Sequence, residues 1–342
     1  MKFSDIYGHE NTKNILKRAV ETKNVGHAYI FEGNKGVGRY SAALSFAAAL
    51  LCPDGEKGEP CGVCNVCKMC QAKSHPDVRV ITNQLYDASK KSNKILADTI
   101  RSMKREIYQK PYISDRKIYI IPDADTMNVA AQNSLLKILE EPPVYCTIIL
   151  IAQNSNLFLD TVLSRSVRVR FSPVEEGLVK KYLMDNCGVD SKKAEITASM
   201  SGGSIGYAKD ILTDEGIYLL RDEVVERLMK ILSHAYKNSF DFIKFLKSKK
   251  AGYKEVFSVI IQFLRDSVKI SELNDENSIS MKDKKEELLK FSKGLSKGSA
   301  FLMLETALKT QSSVEQNVNY SALMQMMVMD FWEVIHDRSN RS

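Results

Sequence analysis

Residues 28–41 constrain the fold more than any other stretch. An apolar run, Ala28–Phe31, leads into Gly33-Asn34-Lys35-Gly36-Val37-Gly38-Arg39-Tyr40-Ser41, and a helical pattern follows. A strand, a glycine-rich turn and a helix in immediate succession form the frame of a phosphate loop. The glycines let the backbone wrap around phosphate oxygens, and the helix N-terminus presents oriented N–H groups. An ordinary strand–helix turn is the simpler reading of glycines alone, but it does not account for both flanks.

The loop departs from a working one at two positions. Lysine is needed on the β- and γ-phosphates, followed by Ser or Thr on Mg²⁺; Arg39 and Tyr40 stand there instead. Arginine keeps the charge, but its planar fork is larger than an ammonium. Tyrosine is too bulky to replace a small hydroxyl on the metal. A second test is independent of the first. The strand Lys117–Ile121 should end in an Asp that holds Mg²⁺, then a catalytic Glu. The sequence continues Pro122-Asp123-Ala124-Asp125. Aligned by its apolar run, Pro122 takes the metal position and Asp123 the catalytic one. A slip of one residue puts Asp123 on the metal and Ala124 at the base. Neither register gives two carboxylates, so ATP hydrolysis is not expected, and whether nucleotide binds stays open.

Around this loop, short apolar runs alternate with helical patterns. Strands are expected at Ala28–Phe31, Val78–Thr82, Lys117–Ile121, Thr147–Ala152 and Val167–Phe171, with helices at Val37–Leu51, Ile95–Tyr108 and Thr126–Glu140. Such alternation implies an α/β domain with a parallel sheet, and the unalternating central strands imply that both sheet faces are covered. Past Ser172-Pro173 the strands stop. Glu175–Asn186 and Ser191–Met200 read as short helices before the turn Ser201-Gly202-Gly203-Ser204. From about Ile217 the periodicity is helical, with a polar break at Asn274–Ser280 and a last helix over Ser321–His336. Met324, Met326, Met327 and Met329 in that helix read as a core face, with an adaptable subunit interface as the alternative. Three parts follow: an α/β domain over 1–171, a small helical lid over 172–212 and an all-α domain over 213–342.

Cys52, Cys61, Cys64 and Cys67 form C-x8-C-x2-C-x2-C, and Cys70 adds another step of the same size. Prolines and glycines surround them. The N-terminus has no apolar signal region and no apolar run reaches membrane-spanning length, so a cytoplasmic chain is expected. In that setting clustered cysteines indicate structural Zn²⁺ rather than disulfides. Three ligands are clear; Cys52 and Cys70 compete to be the fourth. Cys146 and Cys187 stand alone and read as packing residues. The net charge of +7 is compatible with nucleic-acid contact, but acidic residues are interleaved throughout and the charge decides little.

Taken together, these features resemble the bacterial clamp-loader ATPases of the AAA+ class. The resemblance rests on His27-Ala28-Tyr29-Ile30-Phe31 before the loop, on the cysteine spacing, and on Asn133-Ser134-Leu135-Leu136-Lys137-Ile138-Leu139-Glu140-Glu141-Pro142-Pro143. Ser164-Arg165-Ser166 is similar to the family's Ser-Arg-Cys motif, with serine in place of the cysteine. Asn317-Val318-Asn319-Tyr320 is similar to the opening of its last helix. The resemblance spans nearly the whole chain, in character more than in motif over the last third.

The resemblance implies that Cys52 is the first zinc ligand. It implies that Arg165 serves as an arginine finger, reaching the ATP of a neighbouring subunit. Motor subunits of the family also carry an arginine after a Gly-Ser pair; in Gly203-Ser204-Ile205-Gly206-Tyr207 that place is taken by Gly206. A non-motor subunit of the DNA polymerase III clamp loader is therefore expected. Its last domain would be a collar packed against gamma/tau motor and delta subunits. The assembly would load a sliding clamp onto primed DNA during replication. The rival expectations are an active gamma/tau-like motor and a zinc-dependent DNA-binding protein.

Overall fold

The structure is a computed structural model that describes residues 2–86, 95–233, 235–276, 278–315 and 318–336. Asn317 lies outside the described residues. The chain forms two compact units, one of Met1–Tyr182 with Gly203–Tyr207, the other of Leu183–Gly202 with Ala208–Ser342.

The first unit is built on strands β1 (Ala28–Gly33), β2 (Val78–Val80), β3 (Lys117–Ile121), β4 (Cys146–Ala152) and β5 (Val167–Phe171), in the order β2-β3-β4-β1-β5. Every pairing is parallel; Ala28 aligns with Ile148, Tyr29 with Val167 and Ile118 with Thr147. Its helices are α1 (Glu10–Glu21), α2 (Arg39–Leu51), α3 (Asn65–Gln71), α4 (Asn83–Tyr86), α5 (Ala97–Ile107), α6 (Val129–Glu140), α7 (Asp160–Leu163) and α8 (Glu176–Cys187), the last ending in the second unit.

β3 and β4 are buried along their whole length, which is why their sequences lack alternation. One sheet face packs against the alanine-rich α2 through Phe31, Ile120, Ile149 and Phe46. The other packs through Ile30, Tyr119, Ile121, Ile148 and Leu150 against α5 and α6, by Ile100, Met103, Leu135 and Ile138. Each such aliphatic side chain contributes about 1.5–3 kcal/mol.

Asp77, fully buried before β2, accepts hydrogen bonds from the N–H groups of Tyr112 (2.6 Å), Ile113 (3.0 Å) and Ser114 (3.0 Å). One carboxylate thereby shapes the loop that enters β3.

α6 begins later than its periodicity predicts. Asp123 adopts a left-handed conformation (φ 49°), and a single 3-10 turn, Ala124–Thr126, follows. Asn128 then caps the helix, accepting from the Ala131 N–H at 2.9 Å. A short polar side chain here competes for the backbone and sets the start at Val129.

The second unit is helical: α9 (Ser191–Met200), most of α10 (Ile205–Thr213), α11 (Glu215–Ile231), α12 (Tyr236–Ser248), α13 (Tyr253–Leu273), α14 (Lys285–Lys293), α15 (Ser299–Glu315) and α16 (Tyr320–His336). Its core gathers Val224, Leu228, Phe242, Phe257, Phe263, Phe291, Met324, Met327 and Phe331. Met324 and Met327 are thus core residues, as expected. Met326 is exposed on the opposite side of α16. Arg221, 3% exposed, makes two hydrogen bonds of 2.7 Å to Asp283. Cys187 corrects the expectation of a packing residue: it ends α8 and is exposed, whereas Cys146 is buried in the sheet core. Among the described residues, no helix is long and apolar enough to cross a membrane.

Candidate phosphate-loop site and cysteine centre

The glycine-rich turn leaves the carboxyl end of β1, where open α/β sheets hold their ligands. Gly38 is the N-cap of α2 at φ +105°, a conformation that side chains disfavour, and no side chain caps the helix. Gly36 is needed for a different reason. A Cβ there would lie 2.3 Å from Ser204 Oγ and 3.0 Å from Gly206 Cα. The Gly206 N–H donates to the Gly36 carbonyl at 2.9 Å, and Ser204 Oγ donates to the Lys35 carbonyl at 2.9 Å. His9 Nε2 donates to the Val37 carbonyl at 2.8 Å. Burial is the main reason why the His9 imidazole titrates below its ordinary value. The sequence pointed to Gly206 as a missing arginine; the structure makes it a backbone partner of the loop. His9 was not singled out in the sequence, and Ser204 only as part of a turn and of a Gly-Ser pair, since no local pattern links either to the loop.

Arg39 follows Gly38 and is 6% exposed. Burial lowers its pKa; Asp125, then Asp123, oppose that at the end of β3. Tyr40 is half-buried, its phenol pushed up by burial, with the Lys73 ammonium 5.0 Å from the ring centre. Asp125 accepts from the N–H groups of Gln153 (2.8 Å) and Asn154 (3.3 Å), so its carboxylate holds the turn after β4. Asp123 is exposed, and Pro122 offers no ligand. The glycine-rich loop is therefore assembled here without a pair of free carboxylates opposite it.

Arg165 lies in the turn after α7. Its guanidinium donates to the Thr161 carbonyl (3.1 Å) and pairs with Glu140 at 3.3 Å, with 37% of the side chain exposed. Ser166 Oγ donates to the Val162 carbonyl at 2.9 Å, so serine at this position closes the turn. Gln132, a residue sequence reasoning missed, secures the approach to α7. It is 2% exposed; its amide donates to the Met127 and Leu157 carbonyls and accepts from the Leu159 N–H. The available signal was a polar residue on an apolar helix face.

The cysteine segment is anchored to α1 by Lys17–Glu59 at 2.9 Å, and the Ser4 N–H donates to Glu59 at 2.8 Å. The Sγ atoms of Cys52, Cys61, Cys64 and Cys67 lie within 4.8 Å of one another. Cys52 and Cys64 are 3.8 Å apart, and Cys61 and Cys67 are 3.9 Å apart. Tetrahedral Zn²⁺ with Zn–S bonds of about 2.3 Å requires sulfurs roughly 3.8 Å apart. Backbone N–H groups of Cys61, Cys64 and Cys67 point at Cys52, Cys61 and Cys64 Sγ, at 3.4, 3.4 and 3.5 Å. The N–H groups of Val63 and Cys64 pull the Cys61 thiol down to about 6. Such donors favour thiolate, the form that binds metal. Cys70 is outside this set. It packs in the core beside α2, and burial pushes its thiol up to about 12.

Comparison with known proteins follows this geometry. Residues 8–175 match the family described as "DNA polymerase III, delta subunit". The chain is 27% identical to the DNA polymerase III subunit delta' of Bacillus subtilis, over 92% of this chain and 93% of that protein. It is 30% identical to subunit delta' of Pseudomonas aeruginosa over 60% of this chain and 61% of that one. It is 31% identical to subunit tau of B. subtilis over 62% of this chain and 37% of tau. The extended match to subunit delta', the five-stranded parallel sheet and the glycine-rich loop agree. On these matches the chain is similar to the bacterial DNA polymerase III delta-prime subunits.

Proposed function

We propose that this chain is a non-hydrolysing delta-prime subunit that supports loading of the sliding clamp on primed DNA and offers Arg165 to the ATP of a neighbouring motor subunit. The observation that carries this reading is the state of the hydrolytic machinery. Tyr40 stands where the metal-binding hydroxyl belongs, Pro122 where a carboxylate belongs, and Asp125 is committed to the Gln153–Asn154 turn. In-line attack on a γ-phosphate needs a held metal and an oriented water, and these residues supply neither.

Arg165 supports the complementary half. It is partly exposed, on a short turn fixed by Gln132 and Ser166, with its guanidinium steadied by Glu140. An arginine supplied in trans stabilises charge on the transferring phosphoryl group and raises kcat by roughly 10³–10⁵-fold. Gamma/tau and delta subunits would be its neighbours, with clamp and primed DNA reached through the assembly. We assign the working parts as an α/β domain over 1–171, a helical lid over 172–212 and a helical collar over 213–342. Cys52, Cys61, Cys64 and Cys67 would hold a structural Zn²⁺; four thiolates leave no open position for chemistry.

The similarity to tau favours one second reading, an active motor that uses Arg39 in place of lysine. One experiment separates the two: ATP turnover by the purified chain with Mg²⁺, beside turnover by a reconstituted loader carrying Arg165→Ala. The proposal expects background turnover from the chain alone and a collapse of the loader's rate. Turnover by the isolated chain that is lost in Arg39→Ala would make it a motor.

A further inference from the structure

One stretch of the second unit carries charge out of proportion to its length. Residues 236–254 hold six lysines against one aspartate, a net +5 in nineteen residues of a chain whose total is +7. They cover α12, the 3-10 turn Lys250–Gly252 and the start of α13. The fold does not call for this charge. A lysine in the last turn of a helix suits its dipole, which accounts for Lys247. Lys237 and Lys254 do the opposite: each is the second residue of its helix, where the helix end is itself positive. Lys237, Lys244, Lys250 and Lys254 make no ion pair among the described residues. Lys247 reaches only the Gln325 amide, at 3.4 Å, and Lys249 lies 3.9 Å from Glu223.

A second observation is independent of the charge. Phe242, Ile243, Phe245 and Leu246 turn α12 toward the core. Tyr236, Phe240 and Lys244, spaced by four, share another face with Lys247. There Tyr236 is 44% and Phe240 58% exposed. Their ring centres are 5.9 Å apart, and Trp332 of α16 packs on Tyr236 at 4.6 Å. Asp241 is the only acidic residue in α12. Exposed rings held in place among lysines are what a single strand of nucleic acid needs: unpaired bases stack on the rings and ammonium groups follow the phosphates. A duplex hides its base faces and would use the lysines alone, and an acidic peptide has no flat rings to offer as bases do.

We infer that the exposed face of α12 is a binding surface for single-stranded DNA, in which Tyr236 and Phe240 stack with bases while Lys244 and Lys247 hold backbone phosphates. Lys250 and Lys254 extend the positive potential past the end of the helix. A helix of 13 residues gives the strand a track of about 20 Å. The surface reads no sequence, since every base has a stacking face. It goes beyond the proposed function, in which DNA is reached only through the assembly: here the chain itself holds a strand, by its second unit.

The test is fluorescence anisotropy of a labelled oligo(dT) strand titrated with the full chain over a series of salt concentrations. Saturable binding is expected, with the logarithm of affinity falling linearly against that of salt. The double variant Lys244→Gln, Lys250→Gln should make that slope shallower by about 1.4. Phe240→Ala should weaken binding about tenfold and leave the slope alone. All three side chains are exposed, so both variants should melt as the unaltered chain does. A second readout needs no variant: Trp332 is the only tryptophan in the chain, and its emission should change in step with binding, because it packs on Tyr236. No saturable binding at low salt overturns the inference. So does binding that leaves Trp332 emission and both variants unaffected, which would put the strand elsewhere. Equal affinity for a duplex of the same length, or for polyglutamate, would reduce the face to a general anion or protein contact and overturn it too. ATP turnover does not enter this assay, so absence of binding would leave the proposed function standing.

Discussion

The Arg165 guanidinium lies 3.3 Å from the Glu140 carboxylate, joining the turn after α7 to the last residue of α6. Both side chains are partly exposed, so the pair is expected to contribute less than about 1 kcal/mol to stability. Its role is aim. Glu140→Gln should leave the melting temperature within a degree or two and lower the loader's ATPase only modestly. Arg165→Ala should lower that rate by roughly 10³-fold at saturating ATP. Arg165→Lys should not restore it, because an ammonium cannot reproduce the planar fork. A loader at full rate with Arg165→Ala would remove this residue from the mechanism.

The cysteine centre gives a compositional test. The purified chain should carry stoichiometric zinc, measurable by atomic absorption, that strong chelators remove. Cys64→Ser should release most of it, whereas Cys70→Ser should retain it, since Cys70 packs in the core and lies outside the four. Loss of the metal should destabilise the first unit by at least about 2 kcal/mol, a fall of roughly 4–8 °C in its Tm.

The Arg221–Asp283 pair makes the second unit sensitive to acid. Burial raises the Asp283 carboxyl, but hydrogen bonds and charge from Arg221 outweigh it and hold the group below its ordinary value. A depressed carboxyl stabilises the fold fully above its unfolded pKa, near 4, and that contribution is lost as pH falls through the lower folded value. Unfolding of the unaltered chain should therefore become easier below about pH 4, and Asp283→Asn should flatten that part of the profile. Asp283→Ala strands a buried guanidinium and should cost about 3–5 kcal/mol at pH 7.

Asp77 should prove as important to the first unit. Asp77→Ala removes a fully buried carboxylate and leaves the N–H groups of Tyr112, Ile113 and Ser114 without their acceptor. A cost of about 2–5 kcal/mol in urea unfolding is expected.

These residues also mark how far the sequence could be read. Lys117–Ile121 and Val167–Phe171 were legible to the residue, the first as an apolar run and the second as β-branched and aromatic residues alternating with arginine. The gathering of four cysteines was legible from their short spacings, and their Sγ atoms lie within 4.8 Å of one another. The start of α6 was misjudged by three residues, since apolar periodicity continues through a turn that Asp123 and Asn128 impose by backbone preference. Asp77 was silent: its partners are 35 to 37 residues away and are backbone groups, which no side-chain pattern announces. Ser204 reaches Lys35 across 169 residues, a contact only the folded chain can create. Local chemistry was visible; bracing supplied by distant backbone was not.

The close approach of Gly36 and Gly206 constrains what either position can hold. A Cβ on Gly206 would stand 2.8 Å from Gly36 Cα, and one on Gly36 would meet both Ser204 and Gly206. At Gly206 the obstruction is main chain, which cannot swing aside as a side chain can. A single mutation that put arginine at 206 would dislodge the loop before it could restore nucleotide sensing. A side chain at 206 could be housed only if both segments shifted together. Two glycines in contact thus act as a lock, in which each position bars a side chain at the other.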